Sequence, residues 1–248
     1  MQLIGQLFRT SLSKSKKRVT IIGATSGDTG SAAIEAFKGL DAVDVFILYP
    51  RGRVSEVQRR QMSTPSAINV HAISIDGDFD DCQKALKDLF NDLKFRDKVN
   101  LSGVNSINWA RIMAQIVYYF SSYSSLDLGG EKVRFTVPTG NFGDIFAGYI
   151  AKKIGLPISK LIIATNQNDI LHNALISGEY VRGIVNPSIS PSMDIQVSSN
   201  FERALYYALK CNADEVTRLF SDFALTGNFK IQESALNNLL THYSSGKV

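Results

Sequence analysis

The sequence has few of the residues that mark several common kinds of site. It contains two cysteines, Cys82 and Cys211, and no Cys or His spacing typical of a zinc or redox site. Both cysteines are most simply free thiols in a reducing compartment. No apolar run is long enough to span a membrane, and the N-terminal apolar stretch precedes a basic cluster, the wrong order for a signal peptide. These absences predict a cytoplasmic protein with no metal site and no membrane partner.

Charge of one sign is also scarce. The formal net charge is +4 over 248 residues, and much of the excess lies in two short groups, 14–18 and 51–60. Such groups are typical of a solvated face, whereas a nucleic-acid surface needs a larger continuous basic field. We therefore expect no nucleic-acid partner. The composition, 44% hydrophobic and 20% charged, is that of a globular chain that can bury a core.

Strand-like and helix-like segments alternate along most of the chain. This alternation predicts an α/β fold with a mainly parallel sheet and helices on both faces. We place an α/β core in residues 1–180 and a loop and helical extension of the same domain in residues 181–248. The predicted strands are Val19–Gly23, Val43–Tyr49, Asn69–Ile75, Val133–Pro138 and Leu161–Thr165. The predicted helices include Gly30–Gly39, Trp109–Phe120 (expected to be buried on most sides), Phe142–Ile154, Asn200–Leu209, Asp214–Leu225 and Glu233–His242; the tail gives no strand signal.

The segment from Gly23 to Gly30 lies between a predicted strand and a predicted helix. Its glycines allow a ligand to approach the backbone, and the helix start offers unpaired N–H groups to an anion. Thr25, Ser26 and Thr29 add three hydroxyl donors. The alternative is a plain strand-to-helix turn in which one of the polar side chains caps the helix. The segment matches neither a P-loop nor a dinucleotide-binding glycine pattern.

A second segment, Gly140-Asn141-Phe142-Gly143-Asp144, repeats this design at another strand end. Two glycines flank an asparagine at a helix start, a pattern that can form a backbone nest for phosphate. Asp144 is unexpected beside a phosphate, and it could instead cap the helix or bind backbone amides that shape the loop.

A third segment places Asn105, Ser106 and Arg111 within one loop-to-helix turn. An arginine fork binds phosphate or carboxylate bidentately. The alternative is a capped helix in which Arg111 pairs with a surface carboxylate. Because ligands bind at the strand ends of parallel sheets, we expect the three loops to form one site.

The segments TSGDTGSAA, NSINWAR and GNFGD, in this order and at these separations, resemble the threonine synthases. VFILYP and the stretch from Ser190 to Arg203, SPSMDIQVSSNFER, strengthen the resemblance, which runs from Gln2 to about Phe229. Single motifs recur across fold type II of the pyridoxal-phosphate enzymes. The combination is similar to the long-chain threonine synthases.

The resemblance implies a lyase of threonine biosynthesis. This family converts O-phosphohomoserine and water to threonine and phosphate, the last step of that pathway, with pyridoxal 5′-phosphate as electron sink. By resemblance, residues 140–144 hold the cofactor phosphate, and Asp28 lies where many relatives place an asparagine near the cofactor ring oxygen. The substrate carboxylate would bind Thr25, Ser26 and Thr29, and the substrate phosphate would bind Asn105, Ser106 and Arg111.

The resemblance also implies a missing group. In the family, a lysine in an AFKD-like motif forms the Schiff base with the cofactor, immediately before the helix that corresponds to residues 1–8. We therefore expect no catalytic lysine in this chain, a truncation at both ends, and no activity of the chain by itself. Lys14, Lys16 and Lys17 lie in a solvated basic run, whereas a Schiff-base lysine must be desolvated.

Two other hypotheses come from different functional classes. One is a non-catalytic fragment or pseudoenzyme that binds phosphorylated ligands or a partner protein on these loops. The other is a nucleotide-binding dehydrogenase, which conflicts with the missing glycine pattern and with Tyr49 and Pro50 at the end of the second strand, where an acidic residue is expected.

Overall fold

The computed structural model describes residues 1–25, 28–77 and 79–247. It divides into two compact units, Met1–Ala110 and Arg111–Val248. In the structure, side chains from 112–180 and from 201–243 share one hydrophobic core, because the C-terminal helices cover the second sheet.

The first unit is built on a four-stranded parallel sheet with the strand order β3-β2-β1-β4. The strands are β1 Val19–Ala24, β2 Val43–Pro50, β3 Val70–Ile75 and β4 Leu101–Gly103. The helices are α1 Gln2–Ser15, α2 Asp28–Phe37, α3 Glu56–Ser63, α4 Phe79–Asn91 and α5 Leu93–Lys98, and α6 Trp109–Ser124 begins at the end of this unit.

Helices cover both faces of this sheet, as the alternation predicted. On β1, Ile21 belongs to a core cluster with residues of α1, α2 and α3, whereas Ile22 points into a second cluster with Cys82 and Leu86 of α4. Successive side chains of a strand point to opposite faces, so β1 needs apolar residues at both positions. Because β1 lies between β2 and β4, its carboxyl end lies between the carboxyl ends of these two strands.

Asn69 fixes the turn that follows α2. Its side chain is buried, accepts a hydrogen bond from the Gly39 N–H, and donates to the carbonyl oxygens of Phe37, Leu40 and Val43. One amide therefore satisfies the backbone groups that α2 leaves unpaired where it ends. Ser55 begins α3 through a capping box with Gln58, as expected for a serine at that position.

The second unit has a three-stranded parallel sheet in the order β5-β6-β9 and a short antiparallel pair, β7 with β8. Its strands are β5 Val133–Pro138, β6 Ile158–Thr165, β7 Glu179–Val181, β8 Asn228–Lys230 and β9 Tyr243–Lys247. Its helices are most of α6, α7 Gly143–Lys153, α8 Ile170–Ser177, α9 Phe201–Ala208, α10 Ala213–Thr226 and α11 Glu233–His242, with a 3₁₀ turn at Pro191–Met193.

Two expectations need correction. The tail was expected to have no strand, but Tyr243–Lys247 pairs in parallel with β6, and the buried Tyr243 packs into the core. Helix α6 was expected to be buried on most sides, but Trp109 is 47% exposed and Val117 is 57% exposed. Only Ile112 and Tyr119 of α6 are buried, because this helix packs on the core through one stripe.

In the part of the chain that the structure describes, no helix is both long and apolar enough to cross a membrane.

Candidate functional site

The loop after β1 begins with Thr25, which is buried (3% exposed). Its hydroxyl oxygen accepts a hydrogen bond from the Gly30 N–H at 3.0 Å. Thr25 therefore satisfies one backbone N–H in the first turn of α2. A Cβ atom on Gly30 would lie 2.5 Å from Thr25 Cγ2 and 2.8 Å from Met62 Sδ, which explains the glycine. Ser26 lies outside the described residues. Thr25 thus bonds the start of α2, and its role toward a substrate carboxylate stays a prediction.

Asp28 lies in the first turn of α2 and is exposed. The Gln58 side chain donates to Asp28 Oδ1 at 2.6 Å, while its own oxygen accepts from the Ser55 N–H at 3.2 Å. Asp28 is thus held toward α3 by a residue 30 positions away. The sequence did not predict this contact, and the role of Asp28 near a cofactor ring stays a prediction.

The loop after β4 lies beside the loop after β1. Ile22 pairs with Gly103, so Thr25 and Asn105 follow neighbouring strands at the same edge of the first sheet. Asn108 begins α6: its Oδ1 accepts from the Ala110 N–H at 2.9 Å, and its Nδ2 donates to the Gly103 carbonyl at 3.1 Å. The strand order thus places these two loops at the same edge of the first sheet, and their joint role in one site stays a prediction.

Asn105 carries a buried amide oxygen for which the described residues supply no hydrogen-bond partner. Buried polar side-chain atoms are normally paired, so an unpaired one indicates a place where a ligand can bind. Rotation of the Asn105 amide by 180° would present its N–H₂ donor at this place instead. Such a donor suits a phosphate oxygen.

Arg111 is the first residue of the second unit, on α6, and is half-buried. Burial lowers the pKa of its guanidinium, since removal from water disfavours the charged form. An arginine still carries its charge at neutral pH, so this side chain keeps the fork needed for phosphate. Its predicted role with Asn105 and Ser106 stays a prediction.

The Gly140–Asp144 loop follows β5 and begins α7. Asn141, exposed at its tip, accepts a hydrogen bond from the Gly143 N–H at 2.9 Å through Oδ1. Phe142 adopts the left-handed conformation (φ 65°), and its buried ring packs against Phe201 and Tyr243. The loop is therefore anchored by a core side chain while its tip faces outward.

The backbone of this loop suits an anion. The first intrahelical bond of α7 runs from the Phe146 N–H to the Phe142 carbonyl, so the amides of Phe142, Asp144 and Ile145 have no acceptor within the helix. These donors lie at the positive end of the helix dipole, after a left-handed residue, as in an anion nest.

The glycines of this loop are required by the packing around it. A Cβ atom on Gly140 would lie 3.1 Å from Ile195 Cδ1, and one on Gly143 would lie 3.0 Å from Asn141 Oδ1. Both positions are tighter than ordinary contacts, so side chains there would displace the loop.

Asp144 repels a neighbouring anion less than an ordinary aspartate would, because its carboxyl group is easier to protonate. Burial raises the pKa of its carboxyl group. Desolvation also raises the pKa of Tyr119 far above its ordinary value, so Tyr119 stays protonated and donates to the Asp144 carbonyl oxygen at 2.9 Å. Tyr119 thus holds the first turn of α7 from α6, and a raised pKa lowers the cost of protonating Asp144.

A polar network fixes the segment 186–200 behind this loop. Asp194 accepts hydrogen bonds from the Asn166 and Asn168 amides, at 3.0 and 3.1 Å, and from the Ser188 N–H and hydroxyl. The Asn168 amide also bonds both backbone groups of Asn186. The segment read as an irregular loop is therefore tied to the end of β6. Sequence reasoning missed the residues of this segment that contact the Gly140–Asp144 loop. They stood out only as part of the stretch that carries the family resemblance.

None of the lysines in the described ranges is buried. Lys14, Lys16 and Lys17 are exposed at the end of α1, as the sequence predicted. The two half-buried lysines, Lys152 and Lys160, donate to the carbonyl oxygens of Ser159 and Leu240. Among the residues in view, no cluster of three or more His, Cys, Asp or Glu side chains could hold a metal ion.

The chain is similar to known threonine synthases over nearly its whole length. The chain is 53% identical to a threonine synthase of Pseudomonas aeruginosa, over 94% of this chain and 50% of that protein. It is 46% identical to a threonine synthase of Saccharomyces cerevisiae, over 100% of this chain and 52% of that protein. The chain thus spans about half the length of the curated relatives it matches.

Solved structures give the same result. The crystal structure of a threonine synthase from Brucella melitensis, described as bound to PLP, matches with a TM-score of 0.93 and 56% identity, over 99% of this chain and 53% of that one. The sequence model of the pyridoxal-phosphate dependent enzymes matches residues 3–220. Because that match covers most of the chain, this chain belongs to the pyridoxal-phosphate dependent enzyme family.

Proposed function

We propose that this chain forms the cofactor- and substrate-binding part of a threonine synthase, which converts O-phosphohomoserine and water to threonine and phosphate. The observation that carries the proposal is the Gly140–Asp144 loop, whose helix-start amides suit a phosphate. The likeness to threonine synthases over 94% of the chain supports it.

In this proposal, the loop Gly140, Asn141, Phe142, Gly143 and Asp144 binds the cofactor phosphate, and Asp28 contacts the ring oxygen. When bound, pyridoxal 5′-phosphate supplies an electron sink that stabilises carbanions. The protein contributes orientation: the amides of α7 fix the phosphate end, while Gln58 holds Asp28 in one position.

The substrate would bind through its two anionic ends. Thr25, Ser26 and Thr29 bind the carboxylate, and Asn105, Ser106 and Arg111 bind the phosphate that leaves. The buried Asn105 amide and the partly desolvated Arg111 guanidinium support the second assignment, because both bind an anion more strongly away from water.

Turnover by this chain alone is not expected. A lysine that attacks a carbonyl must be desolvated to lose its proton near neutral pH, and each lysine of the described part is at least partly exposed. This observation favours a second candidate, a non-catalytic module that binds phosphorylated ligands on the same loops.

The binding proposal is tested by titrating the ¹⁵N-labelled chain with pyridoxal 5′-phosphate and, as the matched ligand, with pyridoxal, which lacks the phosphate. We expect the Asn141, Phe142 and Asp144 amide signals to move with the first ligand only. Unmoved signals, or equal shifts with both ligands, would contradict the assignment of the loop.

The two candidates are separated by two further measurements. O-phosphohomoserine should shift the Thr29, Asn105 and Arg111 amides if the chain is the substrate-binding part of a threonine synthase. A module that binds phosphorylated ligands in general should respond equally to phosphoserine. Phosphate release from O-phosphohomoserine, followed with the cofactor present, should stay at the uncatalysed level; a rate of about 1 per second or more would refute the argument from exposed lysines.

The remaining sequence-based expectations stay predictions. These are the cytoplasmic location, the absence of nucleic-acid and membrane partners, and the division of the chain at residue 180.

A further inference from the structure

Two side chains near the end of the segment 186–200, those of Ser198 and Asn200, bind the backbone of the Gly140–Asp144 loop. The Ser198 hydroxyl donates to the Gly140 carbonyl oxygen at 2.7 Å. The Asn200 amide donates to the Asn141 carbonyl oxygen at 3.0 Å, and the Asn200 backbone N–H donates to the same oxygen at 3.0 Å. Two successive carbonyl groups of the loop therefore point toward this segment.

The orientation of these carbonyls decides the orientation of the amides. In a planar trans peptide, the carbonyl of one residue and the N–H of the next point in opposite directions, and the chain contains no cis peptide in its described part. With the Gly140 carbonyl turned to Ser198, the Asn141 N–H points away from Ser198. In the same way, the Phe142 N–H points away from Asn200.

We propose that Ser198 and Asn200 are positioning residues for the cofactor phosphate: by binding the Gly140 and Asn141 carbonyls, they turn the Asn141 and Phe142 amides toward the anion. The proposal rests on the proposed function of the loop. If either peptide plane rotated, a carbonyl oxygen would replace an amide donor at the phosphate, and attraction would become repulsion.

The positioning residues are themselves held firmly. Ser198 is fully buried (0% exposed), and its backbone N–H donates to the hydroxyl oxygen of the equally buried Tyr180 at 2.8 Å. The side chain of Asn200 is oriented by Arg203, whose Nε donates to Asn200 Oδ1 at 3.1 Å, leaving the N–H₂ end for the loop. Ile195 of the same segment packs next to Gly140. The segment is therefore a rigid support.

The test compares Ser198→Ala with Ser198→Thr, which keeps the hydroxyl, and with Ser190→Ala, an exposed serine of the same segment. Binding of inorganic phosphate and of pyridoxal 5′-phosphate is measured by amide titration of the whole chain, and thermal unfolding is measured in parallel. The loss of one hydrogen bond that orients the loop should weaken phosphate binding about fivefold. The Asn141 amide signal should also move in the ligand-free variant, and Ser198→Thr should restore both properties.

The outcomes separate the two proposals. If the wild-type chain binds phosphate at the loop and Ser198→Ala binds it equally well, the positioning role is refuted while the proposed function stands. If the wild-type amides do not respond to either ligand, the proposed function fails, and the positioning role fails with it.

A second variant covers the case in which Ser198→Ala does not fold. Asn200→Ala removes the side-chain donor but keeps the backbone bond to the Asn141 carbonyl, so the loop loses part of its support. We expect a smaller loss of phosphate affinity, about twofold, with a shifted Phe142 amide signal. Unchanged affinity together with an unmoved Phe142 signal would overturn the role of Asn200.

Discussion

Replacing Asn141 by aspartate should stabilise the fold and weaken phosphate binding at the same time. Asn141 uses its Oδ1 atom to accept from the Gly143 N–H, and an aspartate oxygen can accept the same bond. The substitution changes one N–H₂ group into a charged oxygen at the exposed tip of the loop. It therefore tests the anion site with little change of shape.

The two effects have opposite signs and can be estimated. A carboxylate at the start of a helix stabilises it by about 0.3–1 kcal/mol through the helix dipole. The same carboxylate repels each unit of charge on a phosphate about 4 Å away by about 1 kcal/mol in water and about 4 kcal/mol at an effective dielectric of 20. Because Asn141 is exposed, the repulsion in water applies. A repulsion of about 1 kcal/mol corresponds to about fivefold weaker phosphate binding.

The assay combines urea unfolding in phosphate-free buffer with phosphate titration at low and at high salt. The matched control is Asn212→Asp, because Asn212 also accepts a backbone N–H at a helix start, from Glu215 at 3.1 Å. This control changes the net charge equally at another helix start, and we expect it to leave phosphate affinity unchanged.

Equal loss of phosphate affinity in Asn141→Asp and Asn212→Asp would show that net charge, and not the loop, controls binding. Loss of both stability and affinity in Asn141→Asp would show only a damaged loop, and would refute the dipole argument. The affinity difference should shrink at high salt, since exposed charges are screened.

Three further substitutions test the packing around the loops. Asn69→Ala should destabilise the fold by about 3 kcal/mol in urea unfolding, because several buried backbone groups lose their partner. Gly148→Ala should cost about 1–3 kcal/mol in the same measurement, because a Cβ atom there would lie 2.6 Å from a ring carbon of Tyr119. Tyr119→Phe should raise the already raised pKa of Asp144 further, because it removes a neighbouring hydroxyl that lowers this pKa, and carboxyl ¹³C titration measures the change. A group with a raised folded pKa favours folding at low pH, and this contribution is lost as the pH rises through the folded pKa, so the loss should move to higher pH.

Each of these three substitutions has a matched control variant. Asn91→Ala, at the exposed end of α4, should change stability by less than about 0.5 kcal/mol. Gly246→Ala adds its Cβ in open space. Tyr123→Phe removes a hydroxyl that bonds the Glu131 carbonyl and should leave Asp144 unaffected. Effects of similar size in a substitution and in its control would contradict the contact on which that prediction depends.

Much of the secondary structure could be predicted because its signals are local. The strands Val133–Pro138 and Val70–Ile75 and the helix Glu233–His242 are confirmed within a residue, since apolar periodicity and flanking turn residues mark them. Gly178, which is left-handed, ends α8, as glycine does at many helix ends. The anion loops could be located in the same way, because each lies between a strand and a helix.

The errors have a different physical origin. The three-residue strand β4 and the six-residue helix α5 are too short to show a period. Strand β9 carries serines and a glycine, and it is a strand because it pairs with β6 and not because of its own propensity. The burial of α6 depends on how many elements pack on it, which periodicity cannot report.

The sequence by itself determined the fold class, the family likeness and the three loops, because glycines, helix caps and apolar periodicity act over a few neighbouring residues. Only the tertiary structure decided what supports those loops. Gln58 reaches Asp28 across 30 residues, and Ser198 and Asn200 reach the Gly140–Asp144 loop across almost 60. Hydrogen bonds between residues so far apart leave no spacing pattern in the chain, and they form only when the sheets and helices have brought their partners together.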